Sequence, residues 1–142
     1  MNRKLFWTIL VLVSTTVFAV AGCSLKFGTI RYKDDQQNAL NATKKFHDLF
    51  NNGLYESVYE MADDSAKKTK SKEALITVLA RLRDEKGLIL NTELIDAKVE
   101  PRALYREVHL TFQTKFEHGD SKENITWYVS NEKAAFFTFA FE

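Results

Sequence analysis

At Gly87 the hydrophobic period of the chain changes from helical to two, and this switch restricts the fold more than any other feature. Before it, apolar residues recur three and four apart; after it, they alternate. Ala39, Ala42, Phe46, Leu49 and Phe50 trace one stripe of a helix that begins near Asp34 or Asp35 and is stopped by Asn51-Asn52-Gly53. Leu54, Val58 and Met61 mark a shorter helix over 54–62, followed by a basic loop holding Lys67, Lys68, Lys70 and Lys72. Ser71 is the expected N-cap of a third helix ending at Lys86. Its apolar face is Leu75, Ile76, Leu79 and Leu82. Glu73 in its first turn and Arg81, Arg83 and Lys86 toward its last suit the helix dipole, and Gly87 closes it.

Four strands are predicted downstream. The first covers 88–99, with a break in alternation at Leu94-Ile95 that reads as a bulge, and Pro101 ends it. The second covers 104–116, with Val108, Leu110, Phe112 and Phe116 on one side. The third carries Ile125, Trp127 and Val129, and the fourth alternates Ala135, Phe137, Phe139 and Phe141. His118-Gly119-Asp120 and Ser130-Asn131-Glu132-Lys133 are the turns between them. Alternation of this kind suits an antiparallel sheet with one face covered. The expected fold class over 34–142 is therefore α+β, with three N-terminal helices packed on a curved four-stranded antiparallel sheet.

The first 22 residues follow another logic. Arg3 and Lys4 precede an uncharged run from Leu5 to Ala21, which closes on the small residues Ala21 and Gly22 before Cys23. A positive start, an apolar middle and a small-residue end make a signal peptide. The competing reading is a retained transmembrane anchor, for which about 20 apolar residues suffice. Val20-Ala21-Gly22-Cys23 resembles the bacterial lipobox. The resemblance implies cleavage before Cys23 and attachment of a diacylglycerol to it, with further acylation. Two or three chains on one residue hold stably, where one binds only marginally. Residues 23–33 would then be a lipidated tether, and the protein would sit in the cell envelope, partnered with the membrane. Ser24 follows the cysteine where Asp would signal retention; in a diderm organism this implies the outer membrane, facing the periplasm.

The order of elements from Asp34 to Glu142, with Asn52-Gly53-Leu54-Tyr55 after the first helix, resembles the nuclear-transport-factor-2-like, or cystatin-like, α+β cone. That resemblance implies an interior between helices and sheet. The family's enzymes work there with an inward-facing acid or an Asp/His pair in an apolar pocket.

Composition excludes several classes. With 20 basic and 19 acidic residues the chain lacks the basic excess of a nucleic-acid binder. Its one cysteine permits no internal disulfide, and three scattered histidines do not make a metal site. It contains no nucleotide loop, catalytic Ser-His-Asp order or H-E-x-x-H string, and no cofactor is implied. No catalytic residue is assigned.

Weaker candidates remain. Glu107 and His109 share a strand face with Thr111, Gln113 and Lys115, which reads as the solvent side. Arg106 has the parity of Val108 and Leu110 and is expected to snorkel at the strand end; if buried, it needs a carboxylate. His47 borders the first helix's stripe and reads as structural. Trp127, Phe136 and Phe137 are the candidates for a pocket or an interface, Phe136 lying opposite the core-facing Phe137. The leading expectation is a lipid-anchored envelope protein with a non-catalytic protein-interaction or structural role and an envelope protein as its partner. The alternative is binding of a small apolar ligand inside the cone, in a cavity bounded by Trp127, Phe137 and helix residues.

Overall fold

A computed structural model describes residues 24–142, with side chains from residue 32 onward. The expected signal peptide, the lipobox-like Val20-Ala21-Gly22-Cys23 and the tether's first residue lie outside the described residues. The compact unit is Tyr32–Glu142.

Among the described residues four helices precede the sheet, one more than the periodicity predicts over 34–86. Helix α1 spans Ser24–Asn51, so the backbone of 24–33, expected to be an aperiodic tether, is helical. Its end is as read: Gly53 takes a positive φ of 69°, and the Leu54 N–H reaches back to the Leu49 carbonyl at 2.9 Å. Helix α2 is Tyr55–Glu60. The basic loop is a short helix, α3, Asp64–Thr69. Asp63 starts it by accepting from the Ser65 N–H at 2.8 Å. Helix α4, Lys72–Lys86, is capped by Ser71 and ends at Gly87. Gly87 has φ 79°, and a Cβ there would lie 2.5 Å from a Glu117 carboxylate oxygen. Conformation and space both demand glycine.

The strands are β1 Ile89–Pro101, β2 Arg106–Phe116, β3 Gly119–Ser130 and β4 Lys133–Phe141. They form one antiparallel meander in the order β1-β2-β3-β4. Between β3 and β4, Asn131 and Glu132 both have positive φ, 48° and 63°, the conformation of a two-residue type I′ turn. Strand β1 slips register at Ile95, where the alternation breaks, and again at Leu90.

The third register shift overturns an expectation. Trp127 pairs with Phe136, but Thr126 pairs with Thr138, leaving Phe137 as an extra residue in β4. Parity inverts across this bulge. Phe136, expected opposite the core, is buried in it, packed on Phe46 and Trp127. Phe137, expected inside, stacks on Tyr128, which stacks on Tyr105, with ring centroids 4.3 and 4.2 Å apart.

The core lies between the α1 stripe and one sheet face, where Val108, Leu110, Phe116, Ile125, Trp127 and Val129 are buried as read. On α1 the buried positions include Ala39, Phe46 and Phe50, but also Asp35, Thr43 and His47. Those three polar side chains each find a partner on the sheet.

Candidate functional site

Three buried polar side chains of α1, Asp35, Thr43 and His47, reach the sheet. Their partners include Glu123, which shares the face of Ile125 and Trp127 and is wholly buried. His47 Nε2 sits 2.9 and 3.0 Å from its two carboxylate oxygens, and the Thr114 hydroxyl donates to it at 2.8 Å. An ionised carboxylate only accepts, so Nε2 carries the proton in this arrangement. Nearby, Trp127 Nε1 donates to the Thr43 hydroxyl at 2.8 Å, and that hydroxyl donates to the Ala39 carbonyl at 2.9 Å. At the sheet's other end Arg106 is ion-paired with the buried Asp35, its Nη2 donating to Oδ1 at 3.0 Å.

Arg106 therefore does not snorkel. Its parity turns it inward, and the carboxylate it requires comes from the first turns of the compact part of α1. His47 is more than a border residue, for it is the polar partner of a fully buried acid. The acid itself, Glu123, was missed. Its signal was legible: a period-two step back from Ile125 places it on the core face.

A carboxylate that orients an imidazole is the support half of an acid–base device. The other half would be a substrate space with a nucleophile or a polarising group, and His47 does border an open cleft of about 320 Å³ between α1 and the start of β1. Four of the polar side chains around that cleft, Lys44, His47, Asp48 and Asn51, are engaged with partners. Lys44 is paired with Asp48 at 3.3 Å. Asn51 donates to the Ile89 carbonyl at 2.8 Å and accepts from the Ile89 N–H at 2.9 Å, so it fastens helix to strand. The His47–Glu123 pair thus serves to fix α1 on β3.

On the outer face Glu107 and His109 do lie together, with His109 Nε2 3.7 Å from a Glu107 oxygen and its Nδ1 3.1 Å from the Thr126 hydroxyl. Glu100 joins them, and one ligand atom from each of the three falls within 4.8 Å of the others. The charge there is already balanced by side chains. Arg102 donates to both carboxylates, at 2.8 Å to Glu107 and 2.9 Å to Glu100, and Lys98 meets Glu100 at 2.6 Å. Lys98 first, and then Arg102, hold the Glu100 carboxyl below its usual range. Beside this network, burial first and then the Tyr105 hydroxyl push the Tyr128 phenol upward.

Among the described residues, the interior beside Trp127 and Phe137, expected to hold a ligand, is closely packed. Trp127 is fully buried against Phe136 and Thr43. The space bordered by Phe136, Phe137, Tyr59 and Leu75 measures about 10 Å³, room for about one water. No protein-family model matches the chain, and no curated protein sequence matches it.

Proposed function

We propose that this chain is a lipid-anchored, non-catalytic protein-interaction module of a bacterial cell envelope, tethered through Cys23. The observation that carries the non-catalytic reading is the close packing around Trp127 and Phe136 among the described residues. Among the described residues, the buried ionisable groups are committed to one another, Asp35 to Arg106 and Glu123 to His47. A cavity of about 10 Å³ beside Phe136 and Phe137 is far below the roughly 300 Å³ at which small-molecule sites begin. The anchor rests on the run from Leu5 to Ala21 and on Val20-Ala21-Gly22-Cys23. The cone resemblance supplies the finer architecture, helices seated on a curved sheet.

Two measurements test the reading. The intact mass of the protein extracted from its own membranes is expected to equal Cys23 to Glu142 plus acyl chains, and Cys23→Ser should leave the chain uncut and unacylated. An intact Met1 terminus would sink the anchor. Photocrosslinking in cells from exposed positions should then capture a defined protein neighbour. Turnover of a small molecule by the purified protein, with no crosslinked neighbour, would overturn the interaction role.

A further inference from the structure

Strand β4 is an edge of the sheet, and a groove of about 340 Å³ separates its C-terminal half from α4. Val78 and Leu82 form the apolar helix wall, and Phe139 and Phe141 the strand wall. Lys122 and Glu142 exchange both backbone hydrogen bonds, at 3.1 and 2.9 Å. In an antiparallel pair this fixes the phase: Thr138 and Ala140 also turn their backbone groups to β3, whereas Phe139 and Phe141 turn theirs away. No described residue pairs with those outward N–H and C=O groups.

The same edge already makes one isolated bridge just upstream. The Phe136 N–H donates to the Met61 carbonyl at 2.7 Å, and its carbonyl accepts from the Asp63 N–H at 2.8 Å, forming a parallel bridge at Ala62. Past the bulge that pairing stops and the groove begins. The two sheet edges differ in protection. β1 carries two bulges, Glu93, Asp96, Lys98 and Glu100, and Pro101, the usual means of blunting an edge. From Thr138 to Phe141, β4 carries no charge and no proline.

We infer that this groove takes an extended segment of a partner protein, added to the sheet as a fifth strand alongside Phe139 and Phe141. Main-chain hydrogen bonds supply the register, and alternate apolar side chains of the incoming strand seat against Val78 and Leu82. Along the helix wall Arg81 pairs with Glu85 at 3.5 Å, which leaves Lys86, bonded to the Ser121 hydroxyl, as the cation that an acidic residue at that end of the segment meets. The inference deepens the interaction role proposed above and rests on it.

The test is a titration of the isotope-labelled full chain in detergent micelles with a synthetic nonapeptide of alternating valine and threonine ending in glutamate. Saturable amide shifts are expected at Phe139, Phe141 and Val78 through Lys86, with slowed exchange of the Phe139 and Phe141 amides. N-methylating the peptide along one edge should weaken binding at least tenfold. Val78→Lys, at an exposed position, should weaken it at least fivefold without moving the unfolding midpoint. No shift at millimolar peptide, or shifts confined to Ile89–Pro101, would overturn the groove. If in-cell crosslinks persist in that case, only the groove fails; if they vanish as well, the interaction role fails with it.

Discussion

Single residues carry the tightest constraints in this domain. Arg106 and Asp35 are an ion pair with the acid 4% exposed at its side chain and the guanidinium 22%. Removing one partner strands the other charge in a poor solvent, so Arg106→Met is expected to cost about 3 kcal/mol of unfolding free energy. Replacing both, as Asp35→Leu with Arg106→Met, should recover most of that loss in urea unfolding. A double variant as weak as the single one would show that the pair does more than compensate its own burial. Glu132 presents the opposite case, a residue at φ 63° with a Cβ it does not need. Glu132→Gly creates the Asn-Gly sequence that type I′ turns prefer and is expected to raise stability by about 0.5 kcal/mol, read as a shifted denaturation midpoint. At this scale the sequence was half legible. The parity of Arg106 pointed inward and the turn residues were plain, but polar side chains on a buried stripe look like its border. The burial of Asp35 and Thr43 leaves no sign in the local pattern, because it depends on partners contributed by β2 and β3.

The elements were legible where one period ran unbroken. Helix α4 starts at its serine cap and stops at Gly87 as the pattern predicts, and β2 alternates to Phe116 as predicted but begins at Arg106 and not at 104. β4 misled because a bulge leaves no mark in a run of phenylalanines: Phe136 and Phe137 are chemically alike, and only the pairing with Trp127 decides between them. The bulge also sets the outer face, where Phe137 completes a stack with Tyr128 and Tyr105. Tyr128 there has its pKa raised above the ordinary 10.0, first by burial. A phenol with a raised folded pKa stays protonated when the unfolded chain has already ionised. Its contribution is fully present below pH 10 and is lost as pH climbs toward the folded value. Stability should therefore fall with pH above about 10, and Tyr128→Phe should flatten that fall in alkaline denaturation followed by circular dichroism. An unchanged slope would place the responsible group elsewhere.

For the molecule as a whole, the α+β order and the four-stranded meander followed from one change of period, whereas the fit of α1 against the sheet did not, since it depends on contacts far apart in sequence. The compact unit begins at Tyr32. A chain shortened to Tyr32–Glu142 is accordingly expected to unfold in one cooperative transition at the midpoint of the full chain; a lowered midpoint would give the preceding segment a part in the core. The seating of α1 has a consequence for how the protein is made. Thr43 and His47 find their partners in Trp127 and Glu123, and Phe46 finds Phe136 and Phe139, all in the last two strands. At about 5–20 residues per second, a ribosome needs on the order of several seconds to pass from α1 to β4. Throughout that interval the helix can meet α2, α4 and the first two strands, but the partners of Thr43, Phe46 and the His47 imidazole are missing. If the chain is exported as the proposed anchor requires, its core would complete only when the final strand has arrived, which would leave the nascent chain open for threading until then.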